Sequence, residues 1–253
     1  MRFYTGIDIG STASKVVVLD ETGIVTNFVL PTGWSSKETA AEIARRLEAD
    51  GYPVGEDMRV IATGYGRVSV DYAAKTVTEI TCHGRGGYFL MGRDCTIVDI
   101  GGQDTKVITV ESGLPSSFLM NDKCSAGTGK FLEIMANRLG VDMAELFALA
   151  GRGEALAISS MCTVFAESEV ISHIGAGEKR EDIAAGVVES VVSKVAGLCS
   201  RHRIAGDVML TGGLCECPYL LEKLGEKLGV KVHSDPMGRY AGALGAALIA
   251  RGK

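Results

Sequence analysis

A repeated stretch constrains the fold of this chain more than any other feature of its sequence. The segment GIDIGSTASKVVVLD begins at Gly6, and the similar segment IVDIGGQDTKVITVE begins at Ile97. Asp8 of the first copy aligns with Asp99 of the second. Each copy has the pattern of two strands joined by a tight glycine turn. We therefore predict a duplicated unit, with one copy of this hairpin in each half of the chain.

Helical and strand patterns alternate through the rest of the chain. SKETAAEIARRLEAD, KFLEIMANRLG and EDIAAGVVESVVSKVAGLCSRHRI have apolar residues at helical spacing, whereas GIVTNFVL, RVIATG, DVMLTGG and VKVHSD have strand patterns. This alternation is typical of an α/β fold. We predict an N-terminal half at residues 1–93 and a C-terminal half at residues 94–253, with the last helix, in RYAGALGAALIARGK, able to pack against the first half.

Composition excludes several classes of protein. The 253 residues carry a formal net charge of −5 and no basic run, so nucleic acid is not an expected partner. The N-terminal segment MRFYTGIDIG lacks the features of a secretory signal. The apolar segment YAGALGAALIA is about half as long as the roughly 20 residues that a membrane span needs. We expect a soluble, cytoplasmic protein whose scattered cysteines form no disulfide framework.

The two glycine turns are candidate phosphate-binding loops. Glycine lets backbone N–H groups approach phosphate oxygens closely, and two such turns could face each other across a nucleotide cleft. Asp8 and Asp99 are candidates to hold Mg²⁺ or orient a water molecule, and Gln103 to position that water. The other predicted cofactor-binding residues are Gly10, Ser11, Thr12, Lys15, Gly101, Gly102, Asp104, Gly127, Gly129, Gly212 and Gly213. Thr105 and Lys106 are expected to add a hydroxyl and a charge, and the alternative is two ordinary hairpins with acidic turns.

Three of these segments carry a resemblance to a superfamily. IDIGSTASK, VDIGGQDTK and VMLTGG resemble the phosphate-1, phosphate-2 and adenosine motifs of the actin, Hsp70 and sugar-kinase ATPases. The resemblance implies two ribonuclease-H-like halves around a cleft that binds Mg-ATP. It also implies that Gly212 and Gly213 lie near the adenosine.

Two cysteines precede predicted helices. Cys124 lies in NDKCSAGTGK, and Cys162 lies in SSMCTVFAESEVISHIG, where Ser160 or Thr163 is the expected N-cap. Helix N-termini stabilise thiolates and anionic centres bound to them. A [4Fe–4S] cluster normally takes four cysteines, so a symmetric pair of chains would complete the set. Two buried cysteines at helix starts remain the alternative.

A closer resemblance covers nearly the whole chain. ATGYGR, EITCHGRGG, MNDKCSAGTGKFLE, ISSMCTVFAESEVISHI and GALGAALIA resemble the activator components of 2-hydroxyacyl-CoA dehydratases and the related ATPases of benzoyl-CoA reductases and double-cubane-cluster proteins. The resemblance implies that Cys124 and Cys162 bind one [4Fe–4S] cluster shared by a homodimer, within a helix–cluster–helix arch. LCECPYLL departs from the family, whose members carry small and amide residues at this place. Cys215 and Cys217 are expected to line or lie behind the base pocket, with a second metal site as the alternative, and the departure leaves the adenine contacts open.

The resemblance implies an ATP-driven one-electron donor. Ferredoxin or flavodoxin would supply the electron, and an iron–sulfur dehydratase, aryl-CoA reductase or double-cubane protein would accept it. We also expect the protein to bind ATP with Mg²⁺ and to hydrolyse it to ADP. Two alternatives stay open, a small-molecule kinase of the same fold and a cluster-free regulatory ATPase, and neither needs the two cysteines.

Overall fold

In a computed structural model, the described part of the chain covers residues 2–159, 162–202 and 204–252. This part divides into two compact units. The first consists of Met1–Ile97, Ile108–Phe118 and Met237–Lys253, and the second consists of Val98–Val107 and Leu119–Pro236. The end of the chain therefore belongs to the same unit as its beginning.

The helices and strands alternate along the chain as the sequence predicts. The strands are β1 (Phe3–Ile9), β2 (Ala13–Leu19), β3 (Ile24–Pro31), β4 (Met58–Thr63), β5 (Lys75–Thr76), β6 (Cys95–Ile100), β7 (Thr105–Glu111), β8 (Leu114–Asn121), β9 (Asp207–Gly212) and β10 (Val232–His233). The helices are α1 (Ser36–Ala49), α2 (Glu79–Met91), α3 (Gly129–Leu139), α4 (Met143–Ala150), α5 (Thr163–Gly175), α6 (Arg180–His202), α7 (Pro218–Leu228) and α8 (Ala241–Arg251). The α/β prediction is confirmed.

The two sheets have the same strand order, as expected for a duplicated unit. Within the described residues, the first sheet has the order β3-β2-β1-β4-β5, with antiparallel pairing of β1, β2 and β3 and parallel pairing of β1, β4 and β5. The second sheet has the order β8-β7-β6-β9-β10 when it is followed from the equivalent edge. The repeated hairpin is β1–β2 in one sheet and β6–β7 in the other. In each sheet the strand that carries the repeated aspartate is central.

Apolar side chains at the predicted spacing form the cores. Ile43 and Leu47 of α1 are fully buried against Ile7 and Ile9 of β1 in the first unit. In the second unit the core forms around α6, whose valines and alanines are buried on most sides. Among the described helices, α6 is the one long and apolar enough to cross a membrane, and 61% of its most apolar window is buried inside the protein. Its hydrophobicity is therefore largely accounted for by core packing.

Glycines allow close backbone contacts around α8 in the first unit. A Cβ atom on Gly6 of β1 would lie 1.8 Å from the carbonyl oxygen of Ala243, and one on Gly86 of α2 would lie 2.0 Å from that of Ala241. Neither distance is sterically possible, so the glycines of CHGRGG and GIDIG are required for this packing. The α2 helix was not predicted from the sequence, because its several glycines lower intrinsic helix propensity.

The predicted N-cap of α5 is wrong where it can be tested. Thr163 is the first residue of the helix, and Cys162 itself is the N-cap, with extended backbone angles of φ −96° and ψ 134°. The other candidate, Ser160, lies outside the described residues. The cysteine therefore sits directly at the helix N-terminus.

Candidate functional site

In the first unit, the turn between β1 and β2 presents a lysine beside a buried carboxylate. Asp8 and Lys15 are cross-strand partners, and Lys15 Nζ lies 3.7 Å from Asp8 Oδ2. The Asp8 side chain is 6% exposed, but the Lys15 side chain is 19% exposed. Ser11 and Thr12, at the tip of the turn, are exposed. The turn can therefore offer hydroxyls and a partly accessible ammonium group to an anion.

Gly10 is sterically required in this turn. A Cβ atom at this position would lie 2.9 Å from the carbonyl oxygen of Ala13 and 3.2 Å from Lys15 Nζ. A side chain would therefore displace the lysine. The glycine therefore keeps the turn tight and leaves room for the lysine, whereas its predicted role in phosphate binding stays a prediction.

In the second unit, the equivalent turn holds its lysine in a buried ion-pair network. Lys106 Nζ lies 2.7 Å from Asp104 Oδ2 and 3.4 Å from Asp99 Oδ2. Thr211 of β9 donates a hydrogen bond of 2.8 Å to Asp99 Oδ1. All four residues are at most 4% exposed. The network fixes both carboxylates and leaves the ammonium group out of contact with solvent.

The two turns differ at several aligned positions, and one of these differences changes the charge beside the lysine. Ala13 in the first copy corresponds to Asp104 in the second, and the additional carboxylate neutralises Lys106. Thr105 is also expected to offer a hydroxyl to a ligand. In this structure Thr105 Oγ1 donates instead to the carbonyl oxygen of Gly127 at 2.7 Å. Gln103 is exposed at the tip of the turn.

The glycine-rich loop before α3 is attached to the second turn. Gly129 N–H donates to the carbonyl oxygen of Gly101 at 2.9 Å, and Lys130 N–H donates to that of Gly102 at 2.8 Å. Gly127 adopts a φ of +92°, which favours glycine. The predicted residues Gly101, Gly102, Gly127 and Gly129 are thus brought together. The N–H groups of Gly101 and Gly129 donate to backbone carbonyl groups in this structure.

The repeat also includes a glycine at the end of β4 and of β9, which the sequence analysis does not identify. Gly64 after β4 and Gly212 at the end of β9 have φ values of +89° and +93°. A Cβ atom on Gly64 would lie 2.3 Å from the carbonyl oxygen of Ile9 and 2.6 Å from Asp8 Oδ1. A Cβ atom on Gly212 would lie 2.2 Å from the carbonyl oxygen of Ile100 and 3.2 Å from Asp99 Oδ1. RVIATG and DVMLTGG share the spacing V-x-x-T-G, and this signal was present in the sequence.

Each repeated aspartate therefore lies close to a glycine at the end of the neighbouring strand, where there is no room for a Cβ atom. Gly242 at the start of α8 also approaches Asp8, since its Cβ atom would lie 2.9 Å from Asp8 Oδ2 and 2.7 Å from His83 Cε1. The His83 ring nitrogen Nδ1 lies 3.0 Å from the carbonyl oxygen of Glu79. Gly213, the second glycine predicted near adenosine, is exposed.

Cys124 and Cys162 are exposed and lie on loops that contact each other. The hydroxyl of Ser125, next to Cys124, is 2.8 Å from the hydroxyl of Thr163, next to Cys162. Asn121 Nδ2 donates to the carbonyl oxygen of Cys124 at 2.7 Å and so fixes the first loop. The buried-cysteine alternative does not agree with this exposure.

Apolar side chains of α5 are also exposed close to Cys162. Val164 is 65% exposed and Phe165 is 68% exposed, and Ile171 and Ile174 further along the helix are exposed as well. These side chains have the helical spacing expected from the sequence, but they do not contribute to the core of the unit. The surface beside the cysteine is therefore apolar.

The donor set fits half of a four-thiolate centre. Among the described residues there is no group of three or more His, Cys, Asp or Glu side chains that could hold a metal ion. Two exposed cysteines lie on adjoining segments, and one of them is a helix N-cap whose side chain makes no capping hydrogen bond. A four-cysteine centre would take two of its ligands from such a pair.

The other cysteines are less accessible to ligands. Burial raises the pKa of Cys82 to about 12 and that of Cys199 to about 11. Cys215 is buried, whereas Cys217 is the half-buried N-cap of α7, and burial raises the pKa of its thiol. The sequence pattern C-x-C therefore places one thiol inside the second unit and one near its surface.

Comparisons with known proteins agree with this fold. The model of the BadF/BadG/BcrA/BcrD ATPase family matches residues 5–250. The (R)-2-hydroxyglutaryl-CoA dehydratase activating ATPase of Acidaminococcus fermentans is 46% identical over 99% of this chain and 98% of its own length.

Two solved structures are similar over almost their whole length. Component A of the A. fermentans (R)-2-hydroxyglutaryl-CoA dehydratase has a TM-score of 0.92 and 45% identity, covering 98% of this chain and 97% of that chain. The activator of the 2-hydroxyisocaproyl-CoA dehydratase from Clostridium difficile, with bound ADPNP, has a TM-score of 0.90 and 39% identity, covering 98% and 94%. The chain therefore belongs to the BadF/BadG/BcrA/BcrD ATPase family, and its fold is that of the actin-like ATPases.

Proposed function

We propose that this protein is an ATP-dependent activator that passes single electrons to a partner iron–sulfur enzyme. The observation that carries the proposal is the pair of exposed cysteines on loops joined by the contact of Ser125 with Thr163. The relatives named as activators of 2-hydroxyacyl-CoA dehydratases support an acceptor of that class. A kinase or a purely regulatory ATPase has no need of such a pair.

Cys124 and Cys162 are the proposed ligands of one [4Fe–4S] cluster, and the same residues of a second chain complete the four thiolates. When bound, the cluster supplies a centre that accepts and releases one electron. Cys162 lies at the N-terminus of α5 as its N-cap residue. The exposed side chains of Val164 and Phe165 would exclude water from the contact between the two chains.

For ATP, the first unit supplies the proposed phosphate ligands. Lys15 is the lysine that remains partly accessible, and Ser11 and Thr12 add exposed hydroxyls. The ammonium group stabilises the charge on the transferring phosphate. Asp8, which lies close to Gly64 and Gly242, is proposed to orient the water shell of Mg²⁺.

The second unit supplies a pre-organised carboxylate. Asp99 receives hydrogen bonds from Thr211 and Lys106, so its oxygens keep one orientation before the nucleotide arrives. It is a proposed partner of Mg²⁺ or of the water molecules that Mg²⁺ would carry. Gln103, exposed at the tip of the turn, is the proposed residue that positions the attacking water. Gly212 and Gly213 are the proposed neighbours of the adenosine.

Anaerobic purification followed by iron analysis and an ATPase assay tests this function. The expected protein is brown, hydrolyses ATP, and loses iron in Cys124→Ser and in Cys162→Ser while it still binds nucleotide. Cys217→Ser is the matched control, because this half-buried cysteine is outside the proposed centre, and it should retain iron. Colourless protein that phosphorylates a sugar would identify the kinase, and colourless protein with ATPase activity alone would identify the regulatory ATPase.

A further inference from the structure

A cavity of about 240 Å³ lies in the second unit, beside the loop that carries Cys124. Lys194 and Arg201 line it from α6, where they are two helical turns apart and share one face. Asn121 at the end of β8 and Cys124 in the loop after it also line the cavity. The apolar part of the wall consists of Ala126, Val195 and Leu198.

The charge of this cavity is positive and uncompensated. None of its lining residues is an aspartate or glutamate. Neither Lys194 nor Arg201 forms an ion pair with any residue in the described ranges, although five other lysines and arginines of the second unit do so. Two cations that converge on a concave surface without a counter-charge raise the local concentration of anions. The cavity is therefore complementary to a negatively charged group.

The lining also defines the chemistry of the ligand. A guanidinium group binds the paired oxygens of a carboxylate or phosphate through parallel hydrogen bonds, and an ammonium group adds a point charge. The apolar wall favours a short carbon skeleton attached to the anionic group. Because sites for drug-sized ligands start at roughly 300 Å³, this cavity suits a smaller molecule.

Contacts link the cavity to the loop of Cys124. Asn121 Nδ2 donates to the carbonyl oxygens of Cys124 and Ala126, at 2.7 and 3.3 Å. The side chain of Lys194 packs on Gly127, because a Cβ atom on that glycine would lie 3.0 Å from Lys194 Cβ. A ligand that contacts Lys194 and Asn121 would therefore restrain both ends of this loop.

We propose that the cavity binds a small oxyanion-bearing molecule, a phosphate or a short carboxylate, and that binding restrains the loop of Cys124. Binding in this cavity is a property of the isolated chain and does not depend on the proposed electron-transfer function. It assigns Lys194 and Arg201 as ligand-binding residues.

Isothermal titration calorimetry and cysteine labelling of the cluster-free chain test this proposal. Inorganic phosphate and malonate are the two probes, and they distinguish a phosphate from a carboxylate ligand. Lys194→Gln and Arg201→Gln should each weaken binding of the preferred probe at least tenfold. Lys179→Gln, which removes an exposed positive charge outside the cavity, should leave it unchanged. In peptide-resolved labelling with iodoacetamide, the bound probe should slow the reaction of Cys124 more than that of Cys162.

Saturable binding of either probe with this dependence on the variants supports the proposal. Absence of binding by both probes overturns it, as does equal weakening by Lys179→Gln. Labelling of Cys124 at the same rate with and without probe overturns the proposed restraint of the loop. Circular dichroism of each variant distinguishes loss of the site from loss of the fold.

Discussion

The side-chain hydroxyls of Ser125 and Thr163 lie 2.8 Å apart, and each belongs to the residue that follows an exposed cysteine. The residues are distant in the sequence but adjacent in the second unit. This hydrogen bond connects the loop before α3 to the first turn of α5. It therefore couples the positions of the two proposed cluster ligands.

Removal of this hydrogen bond should lower stability modestly and loosen the cysteine pair. Thr163→Val keeps the shape of the side chain and leaves Ser125 Oγ without this partner, at a cost of about 1 kcal/mol. Iron should be retained, but it should be lost to a chelator faster than from the parent protein. Ser168→Ala removes a hydroxyl on the same helix that bonds to its own backbone, and it serves as the control for urea unfolding and for chelation. Identical rates of iron loss in both variants would show that the contact does not couple the ligands.

The two repeated lysines should have different roles. Lys106→Met leaves Asp99 and Asp104 buried without their counter-charge, and we expect a loss of about 3–5 kcal/mol in the free energy of unfolding. Lys15→Met removes a single, longer contact of a partly exposed lysine with Asp8, so stability should fall by less than in Lys106→Met. Because Lys15 is the proposed phosphate ligand, its substitution should instead reduce the rate of ATP hydrolysis. Urea unfolding and an ATPase assay of both variants measure this separation, and equal destabilisation by the two substitutions would contradict it.

Gly64 and Gly212 should tolerate alanine poorly because of clashes as well as backbone strain. Gly51→Ala is a close control for Gly64→Ala, since Gly51 has a φ of +88° and open space where a Cβ atom would lie. The control pays only the strain of a positive φ, about 1 kcal/mol. Gly64→Ala should cost more in urea unfolding and should also impair nucleotide binding, because it displaces Asp8. Equal effects of the two substitutions would show that the close approach to Asp8 is unimportant.

The buried thiol of Cys82 should make the fold less stable at alkaline pH. Its pKa is raised to about 12 by burial, whereas an unfolded thiol titrates near 9. Between these values the unfolded chain releases a proton that the folded chain retains, so stability is fully present below pH 9 and declines as the pH rises toward 12. The contribution to the slope approaches about 1.4 kcal/mol per pH unit. Urea midpoints measured from pH 8 to 11 should fall less steeply for Cys82→Ala than for the parent, and parallel curves would be evidence against this assignment.

Local patterns in the sequence predict most of the fold. Alternation of apolar residues predicts the strands of both hairpins, and Gly140 ends α3 in the left-handed conformation, as expected of a C-cap glycine. The α2 helix was missed because Gly84, Gly86 and Gly87 lower its intrinsic propensity. It forms because Thr78 caps its N-terminus and because its glycines allow close contact with α8.

The site was predictable in its residue types but not in its pairings. The repeat identifies Asp8, Asp99, Lys15 and Lys106, yet the sequence treats the two lysines alike. Their difference arises from Asp104, two residues before Lys106 at the end of the turn, and no spacing rule predicts which ion pair forms in three dimensions. The contact of Ser125 with Thr163 likewise depends on tertiary packing between two loops far apart in the chain.

A cluster shared by two chains fixes the number of iron atoms for each chain. Native mass spectrometry of anaerobically purified protein measures this number directly. We predict a dimer whose excess mass equals one [4Fe–4S] cluster, about two iron atoms per chain, and apo chains for Cys124→Ser and Cys162→Ser. A chain that holds a whole cluster alone, or iron that remains in both serine variants, would contradict the proposed shared centre.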